Sequence, residues 1–449
     1  MNLNKEILRL SLPAIVSNIT VPLLGLSDTA ISGHLGRPEF IAAIAVASMM
    51  LNVAFWLFGF LRMGTTGLTA EAYGASDNRR ILSVLMRSVL IALTVGVLFV
   101  ILRRPMAEIL LDFVGAEKGV RELASEYYLL CIFGAPALLS TMSFNGWFVG
   151  MQSTFTAMIV SISVNVINIA LSLLFVFVFD MGFIGVGWGT LIAQWIGLLI
   201  AAVLFLRFLR RHDIHVGEGN LLRGGFAKFF RVNTNLFFRS ACVMMVSMSV
   251  TAAGARLGSV TLAANAVMMQ FFVFFSYFMD GFAFTGEALT GRFSGAGDFV
   301  MLRRSVRQLL VWSAGMALSF FLIYFFGLHA ITSFITDDAL VIDEVMRYKV
   351  WVVLIPVLTV AAFIFDGFFI GLTRTGVMLL FTALAGVIFF VAGDFSIGFS
   401  DSEGLIFHTS PDNNRLWGGF LAYLLFRGVS LAAALPFYLN YLKKLKLNT

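Results

Sequence analysis

The sequence predicts an all-α membrane protein: twelve transmembrane helices in two six-helix bundles, related by a pseudo-twofold axis along the membrane normal. Three observations predict it. Hydrophobic residues make up 59% of the 449-residue chain and charged residues only 12%, against roughly 45–50% and 25% in soluble domains. So much apolar surface requires the bilayer as its solvent. Twelve apolar stretches each reach the length of about 20 residues that a membrane crossing needs. The two halves of the chain also repeat one another at a fixed offset of 221 residues.

The stretches lie at 8–32, 41–72, 82–102, 124–150, 155–179, 185–206, 227–253, 261–291, 305–327, 346–371, 376–394 and 416–438. Several exceed twenty residues and are expected to tilt or protrude. The 41 Gly and 20 Met suit packed membrane helices, where Gly permits close approach and Met fills irregular gaps. Lys5 and Arg9 lead straight into the first stretch without a small-residue cleavage site, so Met1 to Pro13 does not read as a signal peptide. Twelve crossings put both termini on one face. Nineteen Lys and Arg fall on that face or at its span ends, against nine on the other, and the positive-inside rule makes it cytoplasmic. The predicted organisation is an N-terminal lobe at 1–206, a cytoplasmic linker at 207–225 and a C-terminal lobe at 226–449.

The repeat is carried by three segment pairs. GLTAEAYGASD (67–77) faces ALTGRFSGAGD (288–298), NGWFVGMQST (145–154) faces DGFFIGLTRT (366–375), and IAAIAV (41–46) faces LAANAV (262–267). Chance similarity would not hold one offset across three segments. An even number of spans per half gives both halves the same orientation, and transporters built from repeats place their sites near the repeat interface. The offset also exposes divergence. Asn145 pairs with Asp366, Thr66 with Glu287, and Asp28 with Ser249 or Val250.

Ionisable residues inside spans are the leading site candidates. A carboxylate at a helix centre costs about 2.5–3.5 kcal/mol on insertion scales and so usually marks a pathway. Asp28 follows Pro22, where the first helix is expected to kink. Removing a carboxyl from water favours its neutral form, so an acid there is suited to taking up a proton. The second half carries Arg239, Asp280, Glu287, Asp366 and Arg427 within spans. Two readings stay open for them: structural ion pairs, or a substrate-cation or second proton site led by Asp366 and Glu287. Glu71 reads as solvated. Trp147 and Trp188, near span ends, read as interfacial anchors. The Phe-rich run 271–278 reads first as lipid-facing packing, and second as a surface for flat cationic compounds.

Other classes are disfavoured. The chain has no Gly-Lys pair, so it lacks the phosphate-binding loop of an ATP-driven pump. Its basic residues sit at helix ends and form no stripe for nucleic acid. All five His lie in loops or at span ends. The His212–His215 spacing resembles a metal pair, but a solvated linker is the plainer reading. Cys131 and Cys242 lie in apolar stretches and read as buried thiols. No metal site, organic cofactor or enzyme nucleophile is predicted.

The motifs LSDTAISGHLG (26–36), FLRMGTTGLTAEAYGASD (60–77), NGWFVGMQST (145–154), NVINIALSLLF (165–175) and DGFAFTGEALTGRFSGAGD (280–298) resemble the multidrug and toxic compound extrusion (MATE) family, in its DinF-like branch. The resemblance implies a V-shaped central cavity between two six-helix bundles, a MATE-like fold. It implies antiport across a bacterial inner membrane, with protons or Na⁺ entering as small organic, often cationic, compounds leave. In such proteins an acid of the first helix binds the coupling cation, and Asp28 matches it; Asn145, Asn168 and Thr190 match its polar partners. Gln194 follows Thr190 by one turn and is placed to face the cavity. Relatives often carry a second acid four residues after the Asn matched by Asn168, where this chain has Ser172. One carboxylate makes a poor Na⁺ cage, so proton coupling is favoured, with Na⁺ at Asp28 the other possibility. A monomer is expected. The alternative function is a flippase for lipid-linked precursors.

Overall fold

Unbroken apolar runs of about 20 residues or more, without the polar alternation of a barrel strand, satisfy their backbone in lipid by forming helices. The computed structural model describes residues 2–114, 118–214, 225–392, 396–400, 404–408 and 412–447. Eleven helices in it are long and apolar enough to cross a membrane: α1 (Leu3–Gly33), α2 (Pro38–Gly74), α3 (Asn78–Ile101), α4 (Gly119–Gly150), α5 (Thr154–Val178), α6 (Phe183–Arg211), α7 (Phe226–Arg256), α8 (Ser259–Ala296), α9 (Phe299–Ile335), α10 (Lys349–Gly371) and, after a shorter apolar helix α11 (Thr375–Val391), α12 (Asn413–Asn440). At 1.5 Å per residue, the 38 residues of α8 extend about 57 Å, far beyond the hydrocarbon thickness. Short helices Arg103–Val114 and Ala339–Arg347 precede α4 and α10.

One segment departs from expectation. From sequence the polar loop 395–415 reads first as a flexible connector and second as a cap on the outer vestibule, yet it contains an antiparallel hairpin of β1 (Ser396–Ser400) and β2 (Gly404–His408). Each strand, SIGFS and GLIFH, carries an Ile and a Phe, which favour extended backbone.

The chain folds as two compact units, Arg9–Asn233 and Met1–Leu8 with Thr234–Thr449. The divide falls inside α7, and the first turns of α1 group with the second unit. Each unit pairs its helices alike: α2 with α4, α3 with α4, α4 with α6 and α5 with α6 in the first; α8 with α10, α9 with α10, α10 with α12 and α11 with α12 in the second.

The 221-residue offset is therefore structural as well as sequential. Asp77 caps α3 by accepting from Arg80 N, and Asp298 caps α9 by accepting from Met301 N, both at 2.9 Å. The residue before each cap takes the left-handed region, Ser76 at φ 54° and Gly297 at φ 73°. So do Gln152 at φ 61° and Thr373 at φ 54°, before α5 and α11. At the helix crossings, a methyl on Gly146 would collide with the Arg62 carbonyl, and one on Gly367 with that of Ala283. All these pairs are 221 residues apart.

Two aromatic readings need correction. Trp147 is fully buried and donates from Nε1 to Ile81 O at 3.2 Å. Its indole packs against Phe148, Phe205 and Phe208, because the glycines beside it bring α4 against its neighbours. In 271–278, Phe271 and Phe275 face the core, packing on Tyr324 and Phe320, while Phe274 is exposed. Glu71 is also not simply solvated: Lys228 and Arg80 both pair with it.

Candidate functional site

The first unit builds a polar chain inside apolar helices. Asp28 on α1 is buried, and its Oδ1 has no hydrogen-bond partner. Tyr127 and Cys131 of α4, one turn apart and so on one face, lie within electrostatic reach of its carboxylate. The Tyr127 hydroxyl meets Thr190 Oγ1 of α6 at 3.4 Å. Asn168 Nδ2 of α5 donates to the same Thr190 oxygen at 3.1 Å, and Ser172 Oγ donates to Asn168 Oδ1 at 3.3 Å. Three helices, α4, α5 and α6, thus contribute to one network of neutral groups, and the Asp28 carboxylate of α1 lies within electrostatic reach of its Tyr127 end.

Local sequence explains the assembly. Asn168 and Ser172 are one turn apart on α5. Opposite them, a side chain at Gly189 would collide with the backbone and hydroxyl of Ser172. Gly189 therefore lets α6 touch α5, and Thr190, the next residue, lands beside Asn168. Thr190 Oγ1 also donates to Val186 O at 3.1 Å, which fixes its rotamer.

Not every predicted partner joins. Asn145 Nδ2 donates instead to Ser161 Oγ at 3.4 Å, about two turns from Asn168 along α5, and Asn145 Oδ1 is buried without a partner. Gln194 packs against Gly134 with its Oε1 likewise buried and without a partner. Tyr127 is the residue sequence reading missed. Its signal was weak: the tyrosine pair of SEYYLL at the start of an apolar run.

The second unit builds a charged cluster. Arg239 of α7 donates from Nη2 to Asp366 Oδ2 of α10. Arg427 Nη2 of α12 lies 3.4 Å from the same oxygen, and its Nη1 donates to Tyr423 OH, one turn away, at 3.1 Å. Asp366, Arg239 and Arg427 are all buried. Asp280 of α8 is within electrostatic reach of Arg427. Glu287, two turns further along α8, is buried at the level where Gly371 packs on its carbonyl. Asp366 is therefore occupied by two guanidiniums. Among the described residues there is no cluster of three or more His, Cys, Asp or Glu arranged to hold a metal. His215, one of the two linker histidines considered above, lies outside the described residues.

Comparison with known proteins fits this architecture. The MatE family model matches residues 13–174 and 236–393, one match in each half. The chain belongs to the multidrug and toxic compound extrusion (MatE) family. It is 35% identical over 436 residues to DNA damage-inducible protein F of Escherichia coli (strain K12), covering 96% of this chain and 91% of that protein. It is 23% identical to the probable multidrug resistance protein NorM of Thermotoga maritima over 76% of this chain and 74% of that one. A crystal structure of MATE in the bent conformation superposes with a TM-score of 0.82 at 18% identity, covering 99% and 97% of the two chains. The MatE protein described here is thus a multi-pass membrane transporter of the efflux class, not an enzyme. The twin matches of the family model fall on the two repeats that the 221-residue offset defines.

Proposed function

We propose that this MatE transporter is a proton-coupled antiporter that exports organic, mainly cationic, compounds across a bacterial inner membrane by alternating access, with both termini cytoplasmic. Asp28 is the group that loads and unloads the coupling ion. Tyr127, Thr190, Asn168 and Ser172 orient it, and Asn145 and Gln194 line the path nearby. The observation that carries this reading is the buried Asp28 carboxylate, with an oxygen lacking any hydrogen-bond partner among the described residues and Tyr127 within electrostatic reach of it. A lone buried carboxyl is costly when charged and comfortable when protonated. The family's usual second acid is replaced by Ser172, which leaves a Na⁺ ion one carboxylate instead of two.

The cycle follows from the charge. Entry of a proton from outside neutralises Asp28, α1 repacks around its two internal prolines, Pro13 and Pro22, and affinity for a cationic substrate falls. Loss of the proton to the cytoplasm restores the charge that attracts the next substrate.

The test uses purified protein in liposomes loaded with a fluorescent organic cation, under an imposed pH gradient and, separately, a Na⁺ gradient. One pH unit supplies about 1.4 kcal/mol per proton, enough for about tenfold accumulation at one-to-one coupling. Flux driven by the pH gradient alone supports the reading. Flux driven only by Na⁺ transfers the ion site to a cage the proposal does not contain. If neither gradient moves the cation but a labelled lipid crosses the bilayer, the flippase reading replaces it.

A further inference from the structure

The first unit carries a second feature that transport coupling does not use. A cavity of about 390 Å³ opens where the linker enters α7, at the ends of α2 and α3. Arg79, Arg80 and Lys228 stand around it, Ser83 and Arg87 form deeper wall, and Asp77 is the acid among its described lining residues. The Asp77 carboxylate is already engaged as the cap of α3. Glu71, beside the cavity, pairs with Lys228 at 2.7 Å and with Arg80 at 3.1 Å. The described lining therefore remains net positive.

The arrangement is graded from water to interior. Arg79 is exposed, Arg80 half-buried, and Arg87 only 6% exposed. Seven residues separate Arg80 from Arg87, about 10 Å of helix rise. The Arg87 guanidinium is held in place by the Phe226 ring, 5.0 Å away, and by Gly225, where an added methyl would sit 2.8 Å from Nη1. Gly225 also has φ 71°, so the chain entering α7 adopts a backbone that keeps room for the guanidinium.

Packing does not demand these cations. The repeat places Val300, Met301 and Gln308 opposite Arg79, Arg80 and Arg87, so the same helix pairing forms in the second unit without cations at these positions. The twin helix carries its own cations at other positions, Arg303, Arg304 and Arg307, and Arg303 bonds Asn440 at 2.7 Å.

We propose that this cavity binds a phosphate group, with Arg87 as the buried anchor and Arg79 at the rim. Guanidinium matches phosphate in planar, two-bonded geometry. The mouth lies at span ends, where phospholipid headgroups sit, and basic pockets at that level take anionic headgroups. An anionic phospholipid is therefore the favoured source, and a soluble phosphate ester the other.

The full-length protein would be reconstituted with mixed phosphatidylglycerol and phosphatidylcholine, re-extracted, and its retained lipid counted per protein by mass spectrometry. Arg87→Gln and Arg79→Gln would be run alongside. Arg79→Gln changes an exposed side chain, so it keeps the test valid if the buried variant folds poorly. Wild type is expected to retain phosphatidylglycerol selectively. Arg79→Gln should lower that retention about fivefold, the effect of roughly 1 kcal/mol per surface cation, and Arg87→Gln should lower it further. Inorganic phosphate is then titrated into the delipidated protein. Phosphate binding that the same variants weaken, without lipid selectivity, keeps the site and makes the ligand soluble. Equal retention of both lipids with no phosphate binding, or selective retention unchanged in Arg79→Gln and in folded Arg87→Gln, overturns the proposal.

Discussion

In the first half, α4 crosses α2 with Gly146 on the carbonyl of Arg62; in the second, α10 crosses α8 with Gly367 on the carbonyl of Ala283. The residue before each glycine shows how far the halves have parted. Asn145 is neutral and bonds Ser161, whereas Asp366 is clasped by Arg239 and Arg427. Near Asp28 the balance differs: Tyr127 and Cys131 lie within electrostatic reach of its carboxylate, and among the described residues no group bonds its Oδ1. Backbone contact restricts a crossing to glycine, so that position cannot drift. The neighbouring side chain is not part of that backbone contact and differs between the halves, Asn145 against Asp366. One half holds a buried acid beside a hydroxyl and a thiol, and the other an acid paired with two guanidiniums.

The contrast can be broken from the side of the fixed charges. Arg239→Ala removes one partner from a buried acid, which typically costs about 3–5 kcal/mol. Thermal unfolding of the detergent-solubilised variant should show a correspondingly large fall in midpoint. An unchanged midpoint would mean that the cluster is not structural.

The shared frame makes a matched prediction of smaller size. Gly146→Ala and Gly367→Ala each force a methyl against a carbonyl oxygen, and such overpacking costs about 1–3 kcal/mol. The two variants should lose similar stability in the same unfolding assay. A large effect in one half alone would break the structural equivalence of the crossings.

The smallest effect belongs to the neutral network. Thr190→Val deletes the oxygen that both Asn168 and Tyr127 meet, and interhelical hydrogen bonds of this kind are worth about 1 kcal/mol. Stability should fall by no more than that. Transport under a pH gradient should nevertheless change its pH profile, since the group orienting Tyr127 beside Asp28 is gone. A variant with the wild-type profile would reduce Thr190 to packing.

Much of this was legible in the sequence because lipid imposes simple rules. Continuous apolar runs become helices, and the 221-residue offset locates their ends, down to the paired caps at Asp77 and Asp298. Asp28, Asn168, Ser172 and Thr190 were singled out through the family resemblance, and the bonding of Asn168 to Thr190 and Ser172 follows from the close approach at Gly189. Tyr127 was hidden because helix spacing alone does not tell which α4 face meets α6. The clasp on Asp366 was equally hidden. It joins α7, α10 and α12, and sequence counts two cations among three acids without saying which will touch. Trp147 was misread because proximity to a span end says nothing of whether a neighbouring helix covers it. The β1–β2 hairpin was missed because it interrupts an otherwise helical chain with two five-residue strands.

The central claim is that the movable charge resides at Asp28 and not at Asp366. It is tested most directly by comparing Asp28→Asn and Asp366→Asn in liposomes, with flux under a pH gradient expressed relative to flux without one and normalised to folded protein. The account predicts that Asp28→Asn abolishes the stimulation, while Asp366→Asn is less stable yet keeps the wild-type ratio. Stimulation that survives in Asp28→Asn and disappears in folded Asp366→Asn would contradict it, and would place coupling in the second half.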